Sequence, residues 1–168
     1  MNALIGKSFD TQVFIFTPGH YGFIGVTDDA PFDNGWLIRT GTSRGSVSLR
    51  FNYRAHTEDR ILFDIEGGQA AGEYTGAKLG LSSNGYLGFY RKAAVTEPWK
   101  MEVLSYSPKT GQLFFQWRDS DGYRVSLRQP FTTPASILTG QNTHRLHLVA
   151  GPGDGEVVQF CATVKDFL

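Results

Sequence analysis

One passage of this sequence occurs twice. Residues 22–40 align without a gap with residues 85–103, and Trp36 of the first copy matches Trp99 of the second. A looser third copy follows, in which Phe160 takes the position of the tryptophan. An internal repeat of this kind indicates a fold built from similar units of supersecondary structure.

Short segments in which apolar and polar side chains alternate run along the whole chain. In residues 46–54, for example, Val47, Leu49 and Phe51 fall on one side and polar residues on the other. This period of two predicts half-buried strands of an antiparallel sheet. Glycine turns between such segments predict hairpins. Two hairpins are expected at such turns, pairing 78–81 with 86–90 around Asn84 and Gly85, and 113–117 with 123–127 around Asp121 and Gly122. A third hairpin is expected to pair residues 46–54 with 61–65 through the polar connection 57–59.

The third copy has no hairpin of its own. In an open stack of repeats this copy would leave unpaired strand edges, which invite aggregation. The run from Val13 to Phe16 supplies the missing partner if it pairs with the segment from Val164 to Leu168. We therefore predict that the strands close into a ring, because closure removes the edges.

The glycine-turn-aromatic strand of residues 84–88, followed by a strand that opens on Trp99 and then by a hairpin, resembles the β-trefoil family. The likeness is greatest to fascin-like and lectin-type trefoils and covers essentially the whole chain. It implies an all-β fold with pseudo-three-fold symmetry, in which a six-stranded barrel is capped by three hairpins. The Gln-x-Trp motif of ricin-type trefoil lectins is absent, so their sugar site does not transfer directly. A two-sheet β-sandwich is the alternative architecture.

Composition indicates one folded unit. With 168 residues, 40% of them hydrophobic, the chain is expected to bury one core and to form a single domain over residues 1–168. Its 16 basic and 16 acidic side chains cancel, which argues against a nucleic-acid partner. The single Cys161 has no partner for an internal disulfide and is predicted to be a small buried residue.

The N-terminal residues show no signal-peptide pattern, and no apolar run reaches the length of a membrane-spanning helix. Together with the single cysteine, this predicts a soluble protein that is cytoplasmic or exported without a classical signal peptide.

Residue types that carry catalysis or bind metals are scattered. No nucleophile elbow, zinc-protease motif or phosphate loop occurs in the sequence. His144 and His147 are three apart on a predicted strand, so they face opposite sides and cannot share a metal. We predict a non-catalytic domain with no metal and no cofactor.

The loop between the glycine-aromatic strand and the tryptophan strand is polar or acidic in every copy. Carboxylate and amide oxygens accept hydrogen bonds from sugar hydroxyls, while a neighbouring aromatic ring covers the apolar face of the pyranose. We therefore predict binding of a glycan or glycoprotein at these loops, with calcium as a weaker alternative in the first. The candidate ligand-binding residues are Asp28, Asp29, Asp33 and Asn34 in the first copy, Glu97 in the second, and Asp154 and Glu156 in the third.

Two other classes of function stay open. A protein-interaction module of the fascin-like type would use arginines on the outer faces of the hairpins. A small toxin, defence or inhibitor protein would present the proline-flanked segment 129–134 as an exposed loop. The arginines concerned are Arg50, Arg54, Arg118, Arg124 and Arg128.

Overall fold

The computed structural model describes residues 1–29, 33–91, 94–129, 145–153 and 155–168, without the side chains of Asp29, Asp33 and Asn34. Strands dominate this part of the chain. They are β1 (Phe9–Ile15), β2 (Gly22–Asp29), β3 (Asp33–Thr40), β4 (Ser48–His56), β5 (Ile61–Gly67), β6 (Lys78–Leu81), β7 (Leu87–Tyr90), β8 (Trp99–Ser107), β9 (Gln112–Arg118), β10 (Ser126–Arg128), β11 (His147–Val149), β12 (Glu156–Val157) and β13 (Phe160–Thr163). Short 3-10 turns occupy Asn2–Leu4, Ser43–Gly45 and Gly72–Tyr74.

Nine antiparallel strands close into a barrel. The ring runs β1, β2, β3, β7, β6, β5, β8, β9 and β13, and β13 pairs again with β1. Strand β4 pairs with both β1 and β5, while β10, β11 and β12 are additional strands joined to the ring through β3. The predicted all-β class is confirmed, and the closed ring replaces the alternative of a two-sheet sandwich.

The β-trefoil predicted from the repeat is corrected by this architecture. The structure shows a closed nine-stranded barrel with extra strands, and three-fold symmetry is not shown. Matching strands differ in length, with eight residues in β2, four in β7 and three in β11, and with eight in β3, nine in β8 and four in β13. Pro98 stands at the position of Gly35, and because proline cannot donate to a strand ladder, β8 begins only at Trp99, whereas its match β3 begins at Asp33.

Two of the three predicted hairpins are confirmed, namely β4 with β5 and β6 with β7. At the β6–β7 turn only Gly85, with a φ of 83°, adopts the left-handed conformation expected of both turn residues. The third hairpin is wrong for most of its length. Strand β9 pairs with β8 and β13, so its contact with the returning segment shrinks to a bridge between Arg118 and Arg124.

Closure of the ring by the N-terminal strand is confirmed, but in a different register. Phe14 of β1 lies opposite Cys161 of β13, whereas pairing with residues 164–168 was expected. That last segment is held by single backbone bonds, of which the one from Leu168 N to Ser8 O measures 2.9 Å.

Aromatic rings fill the barrel interior. Trp99 is 4% exposed, packs against Trp117 with ring centroids 5.4 Å apart, and donates its Nε1–H to the carbonyl of Leu79 at 2.9 Å. Trp99 thus belongs to the core, whereas Trp36, its match in the repeat, is only half-buried. The largest fully buried side chains include Trp117, Phe9, Phe51, Phe63, Phe115 and Phe160.

Candidate functional site

The residues predicted to bind a ligand lie in three different surroundings. Asp28 lines a groove beside Arg44, Glu97 lines a cleft beside Arg54, and Glu156 contacts His20. The structure therefore does not gather them into one site or into three equivalent ones. Other predicted residues lie outside the described part of the chain. These are the side chains of Asp29, Asp33 and Asn34, the whole of Asp154, and residues 130–134 of the predicted proline-flanked loop.

The cleft beside Glu97 has a volume of about 300 Å3 and polar walls. Arg54 donates to the carbonyl of Thr96 at 2.7 Å and to the Asp64 carboxylate at 3.2 Å. Among the described residues that line this cleft and the cavity adjoining it, the only aromatic side chain is the buried Trp99. The ring that the glycan prediction requires beside the carboxylate is therefore not presented here.

Glu156 is bonded to a residue of the connection that carries two exposed aromatic side chains. Its Oε2 is 2.6 Å from Nε2 of His20, the residue that precedes Tyr21. Tyr21 is 48% exposed and its ring contacts that of Phe16, which is 45% exposed. Among the predicted carboxylates whose side chains the structure describes, Glu156 is thus the one bonded to that connection.

Five aromatic side chains form a continuous cluster on the outside of the barrel, here called the aromatic surface. The ring centroids of Phe14 and Phe23 are 5.0 Å apart, and those of Phe14 and Tyr21 are 6.3 Å apart. Phe16 extends the cluster to Phe114 at 5.3 Å. The aromatic surface therefore consists of Phe14, Phe16, Tyr21, Phe23 and Phe114.

The strand pairings explain why these rings meet. In β1 the side chains of Val13 and Ile15 are buried, so Phe14 between them points outward. Phe14 is registered with Phe23 of β2 and with Cys161 of β13, and Cys161 is registered in turn with Phe114 of β9. One row of residues thus crosses four neighbouring strands.

The connection that carries Phe16 and Tyr21 is fixed by hydrogen bonds. Phe16 donates its N–H to the carbonyl of Gln159 at 2.8 Å, and the N–H of Gln159 bonds to Oγ1 of Thr17 at 2.9 Å. Arg39 donates its Nε–H to the carbonyl groups of His20 at 3.2 Å and Tyr21 at 3.1 Å. The exposed rings are therefore held in place before any ligand arrives, which lowers the entropy cost of binding.

A groove of about 610 Å3 adjoins the aromatic surface and includes Phe14 and Phe23 in its wall. Neutral polar side chains, those of Gln12, Gln112 and Thr163, line it as well. Amide and hydroxyl groups donate and accept hydrogen bonds at the same time, as sugar hydroxyls do. The groove thus combines apolar faces with neutral polar partners.

Cys161 also lines this groove and is half-buried, whereas full burial was expected. Burial raises the pKa of its thiol, so the thiolate is disfavoured at neutral pH.

Asp10 lies in the same groove and is bonded to Arg50. The guanidinium group lowers the pKa of this carboxyl, opposed by partial burial. Because Arg50 compensates Asp10, and the two other charged lining residues, Lys165 and Asp166, have opposite signs, the groove has no net charge.

No protein-family model matches the sequence, and a search of curated proteins finds no match either. In the part of the chain that the structure describes, no group of three or more His, Cys, Asp or Glu side chains could hold a metal ion. No helix in the described ranges has the length and apolarity needed to cross a membrane.

Sequence reasoning missed the aromatic surface. A signal was present, because Phe14, Phe16 and Phe114 occupy the positions that alternate with buried residues and should be polar on a solvated barrel. Strands β1 and β9 carry apolar residues on both faces, which indicates that their outer face is apolar as well as the face turned to the core.

Proposed function

We propose that this protein is a non-catalytic carbohydrate-binding domain and that its ligand lies on the aromatic surface and in the adjoining groove. The observation that carries the proposal is the contact of five aromatic rings, two of them about half exposed, beside neutral amide and hydroxyl side chains. Exposed aromatic patches mark ligand-binding or interaction sites more often than ordinary surface.

Each part of the surface has a role in this proposal. The rings of Tyr21 and Phe16 cover the apolar face of a pyranose. Gln12 and Gln112 exchange hydrogen bonds with its hydroxyls from the groove. The Glu156 carboxylate, which is bonded to His20, accepts a hydrogen bond from a further hydroxyl group of the sugar.

The test is a glycan array followed by calorimetric titration of the best sugar. Tyr21→Ala is expected to weaken binding about tenfold or more, because it removes a stacking ring. Tyr123→Ala is the matched control, since Tyr123 is 43% exposed and Tyr21 48% exposed. Tyr21→Phe, which keeps the ring, should retain most of the affinity.

Two results would overturn the proposal. One is an array without any signal. The other is that a sugar binds with equal affinity to the Tyr21→Ala and Tyr123→Ala proteins, whereas Glu97→Ala abolishes its binding. The second result would move the site to the cleft beside Glu97.

A protein-interaction module is the second candidate function, and the aromatic surface itself favours it because tyrosine and phenylalanine are enriched in protein interfaces. The arginines predicted as contacts give less support, since Arg50 bonds to Asp10 and Arg118 to Glu102. A protein captured from lysate that is lost with Tyr21→Ala but unaffected by free sugar would favour this candidate.

A further inference from the structure

A second groove, of about 580 Å3, is rich in guanidinium groups. Arg39, Arg44 and Arg145 all line it. We call it the arginine groove. Arginine recognises carboxylate, sulfate and phosphate groups through paired N–H donors, so three arginines around one groove favour an anionic ligand.

The acidic residues of the groove do not cancel this charge. Glu73 is bonded to Arg91, a fourth arginine, whose guanidinium group also lies 5.5 Å from the ring centroid of Tyr74. Asp28 is then the one remaining carboxylate among the described lining residues. Even with Glu73 counted, three arginines against two carboxylates leave the described lining residues a net positive charge.

Arg44 is the most accessible of the three. It lies on the 3-10 turn Ser43–Gly45, is exposed, and takes part in no ion pair with the described residues. Its guanidinium group is therefore available to a ligand without breaking an existing bond.

Arg39 connects the arginine groove to the aromatic surface. Its Nε–H bonds to the carbonyl groups of His20 and Tyr21, and the same side chain lines the arginine groove. The side chain of Arg39 thus lies between the aromatic surface and the arginine groove, so one ligand that covers Tyr21 can also place a charged group beside Arg39.

We propose that the arginine groove binds the anionic group, a carboxylate or a sulfate, of an acidic sugar whose ring lies on the aromatic surface. This inference rests on the proposed carbohydrate-binding function and narrows its ligand to acidic glycans.

The first experiment addresses the groove alone. The amide resonances of residues 39–45 are followed by NMR while inorganic sulfate is added at constant ionic strength set by chloride. Saturable shifts are expected in the natural protein and are lost in Arg44→Gln. Arg124→Gln, which changes an exposed arginine outside this groove, is the matched control and should respond as the natural protein does. Absence of saturable shifts at residues 39–45 would overturn the inference, whatever the glycan array shows.

The second experiment compares glucose, glucuronate and glucose 6-sulfate, together with the neutral and acidic forms of any sugar found on the array. An acidic form is expected to bind about tenfold more tightly than its neutral counterpart, and Arg44→Gln should remove that difference while sparing the neutral form. Glucuronate and glucose 6-sulfate distinguish a carboxylate from a sulfate ligand.

The two proposals fail differently. Equal binding of neutral and acidic forms, with no effect of Arg44→Gln, would overturn the acidic-glycan inference and leave the carbohydrate function standing. Sulfate binding without binding of any sugar would overturn the carbohydrate function and, with it, the assignment of the groove to a glycan.

Discussion

The guanidinium group of Arg50 in β4 forms two parallel hydrogen bonds with the carboxylate of Asp10 in β1, at 2.7 Å from Nε to Oδ1 and 3.0 Å from Nη2 to Oδ2. Oδ2 also accepts the backbone N–H of Gln69 at 2.9 Å. Both side chains are half-buried, so the pair fastens two barrel strands and a neighbouring loop at one point.

Asp10→Asn is expected to lower the free energy of unfolding at pH 7 by about 1 to 2 kcal/mol. Arg50 lowers the pKa of Asp10 below its ordinary value of 3.8. The stabilisation is therefore complete above that value and is lost as the pH falls through the lower pKa of the folded state. Urea unfolding between pH 2 and pH 7 should show this loss in the natural protein and a flatter profile in the variant. Asp59→Asn, at an exposed carboxylate paired with Arg60, should change little, and an equal effect of the two substitutions would contradict the prediction.

Asp119 should behave in the opposite way. It is 4% exposed and accepts the N–H of Tyr123 at 2.8 Å, and burial raises the pKa of its carboxyl. The folded state then holds its proton more tightly than the unfolded chain, so stability falls as the pH rises from the unfolded pKa through the raised one. Asp119→Asn keeps an oxygen acceptor without the charge and is expected to stabilise the protein at pH 7 by up to about 1 kcal/mol. Destabilisation of the variant in urea at pH 7 would contradict this.

The thiol of Cys161 reports on the groove next to the aromatic surface. Because burial raises its pKa and limits access, labelling by a disulfide reagent at pH 8 should be about tenfold slower or more in the folded protein than in denaturant. A sugar bound in the groove should slow the labelling further. Cys161→Ser gives the background signal. Unchanged labelling at a saturating sugar concentration would place the ligand elsewhere.

Gly88 permits a close contact that no other residue allows. A Cβ atom at this position would lie 2.6 Å from Cε3 of Trp36, on the pairing that joins β7 to β3. Gly88→Ala is therefore expected to destabilise the protein by about 1 to 3 kcal/mol through overpacking. Gly41→Ala, where a Cβ atom meets nothing within 4 Å, is the control for thermal unfolding. Equal melting temperatures of the two variants would show that Trp36 moves aside without cost.

The strands could be predicted where they depend on neighbouring residues of the chain, whereas the aromatic surface depends on pairing between distant strands and could not. Alternation correctly predicted β4 and β5, because neighbouring positions of one strand decide which side chains are buried. The alternation of Leu113, Phe115 and Trp117 puts Phe114 on the other face of its strand, but it does not say which side chains lie beside Phe114 there. Only the pairing of β9, β13 and β1 brings Phe114 and Phe14 into one row, and such long-range register leaves no local trace.

Carboxylates from the matching loops of the repeats have different neighbours. Asp28 lies in the arginine groove, Glu97 in a polar cleft and Glu156 beside His20. The repeat predicted equivalent loops because it compares residue types, whereas the surroundings of each carboxylate depend on residues from other strands. Their roles in ligand binding stay predictions.

A sheet with free margins frays from its outermost strand inward, and whatever sits on that strand moves with it. Around Phe14, strand β1 has no such margin, since residues 13–15 pair with β13 and residues 14–15 pair with β2 as well. Backbone amide protons there can exchange with solvent only when the hydrogen bonds to the neighbouring strands open together. The backbone under Phe14 is consequently expected to open only together with both neighbouring strands, so its outer face keeps one shape while the barrel is folded.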